Sequence, residues 1–184
     1  MLPMAKVIAV TNQKGGVGKT TTSINLAASL VKTRRRVLLV DLDPQGNATM
    51  GSGLSKGELD TTIYQVLLGI EPMEKALHKT EGGYDLVPAN SDLAGAEIEL
   101  INLDRRERRL RAALEPMQSQ YDYILIDCPP SLNLLTLNAL VATESVLIPM
   151  QCEYYALEGL SSLVATIQRV RESLNPQLEI GGLL

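Results

Sequence analysis

Short apolar runs alternate along the chain with longer segments that have helical spacing of their apolar residues. Apolar runs that are nearly uninterrupted are typical of strands buried on both faces of a parallel sheet. The predicted strands are Lys6–Thr11, Val37–Asp43, Tyr84–Pro88, Tyr123–Asp127 and Ser145–Met150. The predicted helices are Lys19–Lys32, Ile63–Leu68, Leu93–Leu114, Leu132–Ala142 and Leu157–Leu174.

Strands that alternate with helices predict an α/β fold, a parallel sheet with helices on both faces. No internal repeat or low-complexity linker interrupts the pattern, so we expect a single domain over residues 1–184. The final segment, Leu178–Leu184, has the composition of a further strand, and the sequence ends within it. We therefore expect the C-terminal part of the domain to be missing.

Composition and charge exclude several classes of protein. Hydrophobic residues make up 45% and charged residues 21%, as in a soluble globular protein. Phe and Trp are absent, which argues against a binder that stacks single-stranded bases on aromatic rings. The net charge is −4, so any contact with DNA must use a local basic patch.

The cysteines and the N-terminus indicate the compartment. Cys128 and Cys152 lie outside any CxxC spacing, so neither a disulfide framework nor a structural zinc site is supported. Neither a signal peptide nor an apolar run of membrane-spanning length is present, which favours a soluble, cytoplasmic protein without a membrane partner.

A glycine-rich loop lies between the first predicted strand and the first predicted helix. It reads Gln13-Lys14-Gly15-Gly16-Val17-Gly18-Lys19-Thr20. Glycines let backbone N–H groups converge on an anion, and the positive end of the helix dipole adds to this attraction. In such a loop Lys19 can reach the β- and γ-phosphates of a nucleotide, and the Thr20 hydroxyl can bind Mg²⁺. The general motif has glycine where Gln13 stands, and Lys14 directly precedes the double glycine.

Three acids end two of the predicted strands: Asp41, Asp43 and Asp127. The carboxyl ends of parallel strands share one edge of the sheet, so we expect these acids near the glycine loop. Carboxylate oxygens suit a hard cation that bridges phosphates. For Asp43 and Asp127 a role as helix cap is the weaker alternative, and for Asp41 a structural and a functional role are about equally supported.

Five separated blocks of the chain resemble the chromosome-partitioning ATPases of the ParA/Soj type. They occur in the order KGGVGKTTTSINLA, VLLVDLDPQGNAT, LAGAEIEL, YDYILIDCPPSLNLLTLNAL and VLIPMQCEYYALEGL. The KGGxGK[ST] form of the loop, called the deviant Walker A motif, distinguishes this group from ordinary P-loop enzymes. The resemblance implies a P-loop NTPase fold and a Mg²⁺-dependent ATPase that binds ATP or ADP and acts as a dimerisation switch in chromosome or plasmid partitioning.

The resemblance also implies roles for individual residues. Lys14, Lys19 and Asp43 are expected to be catalytic: Lys14 reaches the phosphates bound by the partner subunit, and Asp43 positions the attacking water. Asp127 is expected to hold Mg²⁺ through water, together with Thr20 and Asp43. The expected nucleotide-binding residues are Lys14, Gly15, Gly16, Val17, Gly18, Lys19, Thr20 and Thr21, with Thr21 at the α-phosphate. Cys128–Ser131 matches a second switch segment.

The expected partners follow from the same resemblance. They are a second copy of the chain in the presence of ATP, a ParB-type centromere-binding protein and, for the full-length protein, nonspecific DNA, so that the protein associates with the nucleoid. Family members continue beyond residue 184 with segments that contact adenine and DNA. Two alternatives stay open: a truncated nucleotide-binding domain without turnover, and a relative that positions the division site. A relative with an interfacial iron–sulfur cluster is disfavoured by the cysteine spacing.

Two arginine-rich segments are open to more than one interpretation. Arg34–Arg36 precedes a strand and is expected to solvate a turn. The cluster between Arg105 and Arg111 falls within one predicted helix. Intrahelical ion pairs and a solvated face are the simpler interpretation, and a phosphate-contacting face is the alternative. Tyr154 and Tyr155 are expected to pack in a core or an interface, and His78 is given no role.

Overall fold

The strands form one sheet in the computed structural model, which describes residues 4–151 and 156–184. In spatial order the strands run β3–β4–β2–β5–β1–β6–β7, and every neighbouring pair is parallel except β3 with β4. Their bounds are β1 Lys6–Val10, β2 Val37–Asp41, β3 His78–Lys79, β4 Asp85–Val87, β5 Tyr123–Asp127, β6 Ser145–Ile148 and β7 Glu179–Leu183. The predicted parallel sheet is confirmed, with an antiparallel edge strand added to it.

Helices cover both faces of this sheet. Successive residues of a strand point to opposite faces: Leu38 and Val40 of β2 pack in one apolar cluster, whereas Val37 and Leu39 pack in another. The bounds of the helices are α1 Lys19–Lys32, α2 Asn47–Gly51, α3 Ile63–Leu68, α4 Leu93–Ile101, α5 Arg109–Leu114, α6 Leu134–Ala142 and α7 Ala156–Ser173. Helices α3 to α6 supply residues to the first cluster, and α1 supplies residues to the second. The predicted fold class is confirmed.

The long helix predicted over Leu93–Leu114 is wrong. Helix α4 ends at Ile101, Arg105 has a positive φ of 51°, and α5 begins only at Arg109. The physical reason is tertiary: the buried Asn138 side chain of α6 donates to the Arg106 carbonyl at 2.8 Å and accepts from the Leu110 N–H at 3.1 Å. These hydrogen bonds satisfy backbone groups that a continuous helix would have paired internally.

The arginine cluster is therefore distributed over a turn, a 3₁₀ segment and a short helix. Arg106 donates to the Ile101 carbonyl at 2.9 Å, and Arg109 donates to the Leu67 carbonyl at 2.9 Å, so both side chains stabilise helix C-termini. Arg105, Arg108 and Arg111 are exposed. Within the described part of the chain none of these arginines pairs with an acid, so the predicted intrahelical ion pairs do not form, whereas the exposure of Arg105, Arg108 and Arg111 agrees with a solvated face.

Smaller differences concern short elements. Helix α2 lies between β2 and α3, where the sequence pattern predicted no helix, and β2 ends at Asp41 rather than Asp43. His78 lies in β3, the short edge strand that the sequence did not reveal. Arg34–Arg36 forms the expected exposed turn, where Arg36 also pairs with Asp122 at 3.1 Å. Tyr154 and Tyr155 lie outside the described residues.

Helix α7 and strand β7 form the last described part of the chain. β7 pairs with β6 and confirms the strand predicted from Leu178 onward. Among the residues that the structure describes, no helix has both the length and the apolar character needed to cross a membrane.

Candidate nucleotide-binding site

The glycine loop begins directly after β1 and ends at α1, at the carboxyl edge of the sheet. Gly16 and Gly18 have φ values of 74° and 89°, a left-handed backbone that other residues adopt only with strain. Gly18 is the N-cap residue of α1 and has no side chain that could accept from the first N–H groups of the helix. The first turn of α1 contains no acid. The backbone N–H groups at this helix N-terminus, together with the helix dipole, therefore favour an anion in front of the loop.

A cleft of about 400 Å³ opens in front of this loop. Its lining residues are Gly15, Gly16, Gly18, Lys19, Thr20, Thr21, Asp43, Gln45, Asn47 and Pro130. Three residues of the sequence-based site do not line it: Lys14 lies at the start of the loop, and Val17 and Asp127 are buried. Pro130 belongs to the segment Cys128–Ser131, so this segment forms part of the wall. Gln45, Asn47 and Pro130 were not predicted as site residues.

The ammonium group of Lys19 lies inside the loop. Lys19 Nζ donates to the Lys14 carbonyl at 2.9 Å, and the side chain is buried. Burial lowers the pKa of Lys19, while the carboxylates of Asp127 and Asp43 oppose that shift. The loop thus holds a cation at the floor of the cleft.

Asp127 ends β5 and is completely buried beneath the start of α1. Its Oδ2 accepts from Thr20 Oγ1 at 2.7 Å, and its Oδ1 accepts from Ser23 Oγ at 2.8 Å. Burial raises the pKa of Asp127 to about 6, although these two hydrogen bonds favour its charged form. The sequence predicted Asp127 and Thr20 as neighbours, but it did not single out Ser23.

Asp41 and Asp43 are two residues apart but lie in different environments. Asp43 lines the cleft, and its Oδ1 accepts from the Gln45 N–H at 2.9 Å. Asp41 is fully buried: its Oδ2 accepts from the Thr49 N–H at 2.8 Å and from Thr49 Oγ1 at 2.7 Å. Its Oδ1 accepts from the Asp43 N–H at 3.1 Å. Of the two interpretations of Asp41, the structure favours the structural one.

Two residues fix the loop to the end of β6, a link that sequence spacing does not reveal. Asn12 Nδ2 donates to the Pro149 carbonyl at 2.7 Å, and Asn12 Oδ1 accepts from the Lys14 N–H at 3.0 Å. Gln151 Nε2 donates to the Gly16 carbonyl at 3.2 Å. A buried amide side chain needs hydrogen-bond partners, so an asparagine directly before the glycine loop could have been proposed as a residue that positions the loop.

The donor set is that of a site for a hard divalent cation shared with phosphates. Within the described ranges no group of three or more His, Cys, Asp or Glu side chains could hold a metal ion. The cleft and its floor instead provide the Thr20 hydroxyl and the carboxylates of Asp43 and Asp127. Mg²⁺ commonly takes one or two such protein oxygens and completes its shell with phosphate oxygens and water. The residues present therefore fit Mg²⁺ bound together with a nucleotide.

Comparison with known sequences adds independent evidence. A family model described as an AAA domain matches residues 5–180. The chromosome partitioning protein ParA of Myxococcus xanthus is 60% identical over 182 residues, which cover 98% of this chain and 64% of that protein. The sporulation initiation inhibitor protein Soj of Bacillus subtilis is 55% identical, and the match covers 98% of this chain and 72% of that protein. An uncharacterised Pseudomonas putida protein is 64% identical, with 98% and 69% covered.

Solved structures share the fold closely. A Mycobacterium smegmatis protein described as cobyrinic acid a,c-diamide synthase, with bound ADP and magnesium, has a TM-score of 0.96 and 46% identity. The similarity covers 98% of this chain and 74% of that one. A plasmid partition protein of Borrelia burgdorferi has a TM-score of 0.84 and 29% identity, with 98% and 78% covered.

Proposed function

The chain belongs to the ParA/Soj family of partitioning P-loop ATPases, and from this premise we propose that it binds and hydrolyses ATP with Mg²⁺ and is a nucleotide-dependent dimerisation switch. One observation carries the proposal: the glycine loop and Lys19 line one cleft at the carboxyl edge of the sheet, together with Thr20, whose hydroxyl is bound to the buried Asp127. A likeness to the M. smegmatis structure with bound ADP and magnesium supports these ligands.

The first step is capture of the phosphates. Backbone N–H groups between Gly15 and Thr21 bind phosphate oxygens. The Lys19 ammonium group releases the Lys14 carbonyl and donates instead to the terminal phosphates. This exchange replaces a neutral acceptor by a charged one, which makes the hydrogen bond stronger. Phosphoryl transfer depends mainly on such positioning and charge neutralisation.

Hydrolysis then depends on side chains at the wall of the cleft. Asp43 is placed there by its own turn, since its carboxylate accepts from the Gln45 N–H. We assign it to orienting the attacking water. Mg²⁺, when bound, neutralises phosphate charge, and Thr20, Asp127 and Asp43 are the residues that would hold it, directly or through water.

Dimerisation is assigned to Lys14, which lies at the start of the loop with its N–H fixed by Asn12. We infer that its side chain reaches phosphates bound by the second copy. We further propose a ParB-type partner, nonspecific DNA binding and nucleoid localisation. The names of the M. xanthus chromosome partitioning protein and the B. burgdorferi plasmid partition protein support a role in partitioning.

Sedimentation with ATP, with ADP and without nucleotide, combined with phosphate release, tests the proposal. We expect dimers with ATP only, and turnover that requires Mg²⁺. Lys14→Ala should bind ATP as a monomer, whereas Lys32→Ala, an exposed change at the end of α1, should behave as the wild type. Binding without turnover in the wild type would instead support a nucleotide-binding domain without catalysis.

A further inference from the structure

Ser23 is a buried polar residue that the phosphate site does not use directly. It lies in α1, four residues after Lys19, and its side chain is completely buried. Its hydroxyl is 2.8 Å from Asp127 Oδ1 and 3.0 Å from the Lys19 carbonyl. The carboxylate is therefore bound from α1 by a second hydroxyl besides that of Thr20.

The two hydroxyls occupy the same face of α1. Thr20 and Ser23 are three residues apart, a spacing that places side chains next to each other on a helix. They differ in what can reach them: Thr20 lines the cleft, whereas Ser23 lies behind it and has no exposed surface. A ligand in the cleft can displace the Thr20 hydroxyl from Asp127, but it cannot displace that of Ser23.

The Ser23 hydroxyl has two acceptors within hydrogen-bond distance, but its single proton can make a well-aligned hydrogen bond to only one of them. A hydrogen bond to a carboxylate is stronger than one to a neutral carbonyl. The Lys19 carbonyl also lies within α1, where the helical ladder gives it a backbone N–H partner. Ser23 therefore donates to Asp127 Oδ1. The terminal torsion of an aspartate is soft, so this bond decides how the carboxylate plane is oriented once Thr20 is released.

We propose that Ser23 is a positioning residue that holds Asp127 through Oδ1, so that Oδ2, the oxygen on the Thr20 side, stays directed to the cation of the nucleotide complex. This inference rests on the proposed function, because it concerns the cation that accompanies ATP. The two oxygens of the Asp127 carboxylate then have different roles: Oδ1 is held by Ser23, and Oδ2 is available to the cation.

The experiment measures equilibrium binding of a fluorescent ATP analogue to the protein over a range of Mg²⁺ concentrations and in EDTA. In Ser23→Ala we expect unchanged binding in EDTA and an increase on the order of tenfold in the Mg²⁺ concentration at half-saturation, the effect typical of an outer-shell partner. Ser23→Thr, which keeps the hydroxyl, should restore the wild-type Mg²⁺ dependence. Ser29→Ala, an exposed change in the same helix, is the matched control.

A double-mutant cycle with Asp127→Asn separates positioning from packing. If Ser23 acts through the carboxylate, adding Ser23→Ala to Asp127→Asn should not shift the Mg²⁺ dependence further. An equal shift in both backgrounds, or none in Ser23→Ala, would overturn the inference. Should Ser23→Ala fail to fold, Ser23→Cys fills the site with a slightly larger side chain that is a weaker donor, and it should show the same direction of shift. A wild-type protein that binds no ATP would instead refute the proposed function.

Discussion

Asp41 and Asp127 are paired residues at the ends of the adjacent strands β2 and β5, yet their carboxylates hold different parts of the molecule. Asp41 accepts from the segment that follows it, through the N–H of Asp43 and the N–H and hydroxyl of Thr49. Asp127 accepts from Thr20 and Ser23 of α1. One acid therefore fixes the segment that presents Asp43, and the other lies under the glycine loop and the start of α1.

Replacing Asp43 should separate binding from turnover. Asp43 lies on the wall of the cleft and accepts from the Gln45 N–H in its own turn, so its replacement leaves the glycine loop, the proposed phosphate-binding element, unchanged. In Asp43→Ala we expect ATP affinity close to wild type, loss of phosphate release and accumulation of an ATP-bound dimer. Nucleotide titration, phosphate release and sedimentation on the same samples provide the check.

The control for that variant is Asp60→Ala, which removes an exposed acid elsewhere. It should leave binding, turnover and dimerisation unchanged. Either loss of ATP binding or normal turnover in Asp43→Ala would contradict the role assigned to Asp43.

Stability should fall with rising pH because of Asp41. Burial raises the pKa of Asp41 to about 7, against about 4 in an unfolded chain. Between these values the folded protein retains a proton that the unfolded chain has released. The free energy of unfolding therefore decreases as the pH rises through this window and levels off above it.

Asp41→Asn removes this titration and should flatten the pH dependence. Urea denaturation in EDTA, between about pH 5 and pH 8, compares the two proteins under metal-free conditions. Asp127, whose pKa burial raises to about 6, titrates in both proteins, so the difference between the two curves reports the change made at Asp41. Parallel curves for wild type and Asp41→Asn would contradict the prediction.

Two arginines close in sequence should differ in their contribution to stability. Arg109 is partly buried and donates to the Leu67 carbonyl at the end of α3. Arg109→Ala should lower the free energy of unfolding by about 1–2 kcal/mol, since a hydrogen bond from a charged group is lost. Arg111 is exposed, so Arg111→Ala should change it by less than about 0.5 kcal/mol. Equal effects in chemical denaturation would show that Arg109 is not a structural contact.

Local patterns were sufficient to predict the sheet, the main helices and the glycine loop. The apolar runs of β1, β2 and β5 are short and uninterrupted, and the order of strand, glycine loop and helix is itself local information. Because carboxyl ends of parallel strands share an edge, the same information placed Asp43 and Asp127 near the loop.

Side-chain contacts between distant segments could not be predicted in this way. The break between α4 and α5 depends on Asn138, which lies 28 residues beyond Leu110. The partnership of Ser23 with Asp127 and that of Asn12 with Pro149 span 104 and 137 residues. Such contacts leave no periodic signal, and a buried serine in a helix has the same local sequence whether or not it meets a carboxylate.

The most direct test of the central claim is an ATP titration by calorimetry of wild type, Lys19→Ala and the control Lys32→Ala, all with Mg²⁺. Lys19→Ala removes the cation at the floor of the cleft and leaves the glycine backbone in place. We expect saturable binding for wild type and Lys32→Ala, and no detectable binding for Lys19→Ala. Unchanged affinity in Lys19→Ala would contradict the assignment of this loop as the phosphate-binding site.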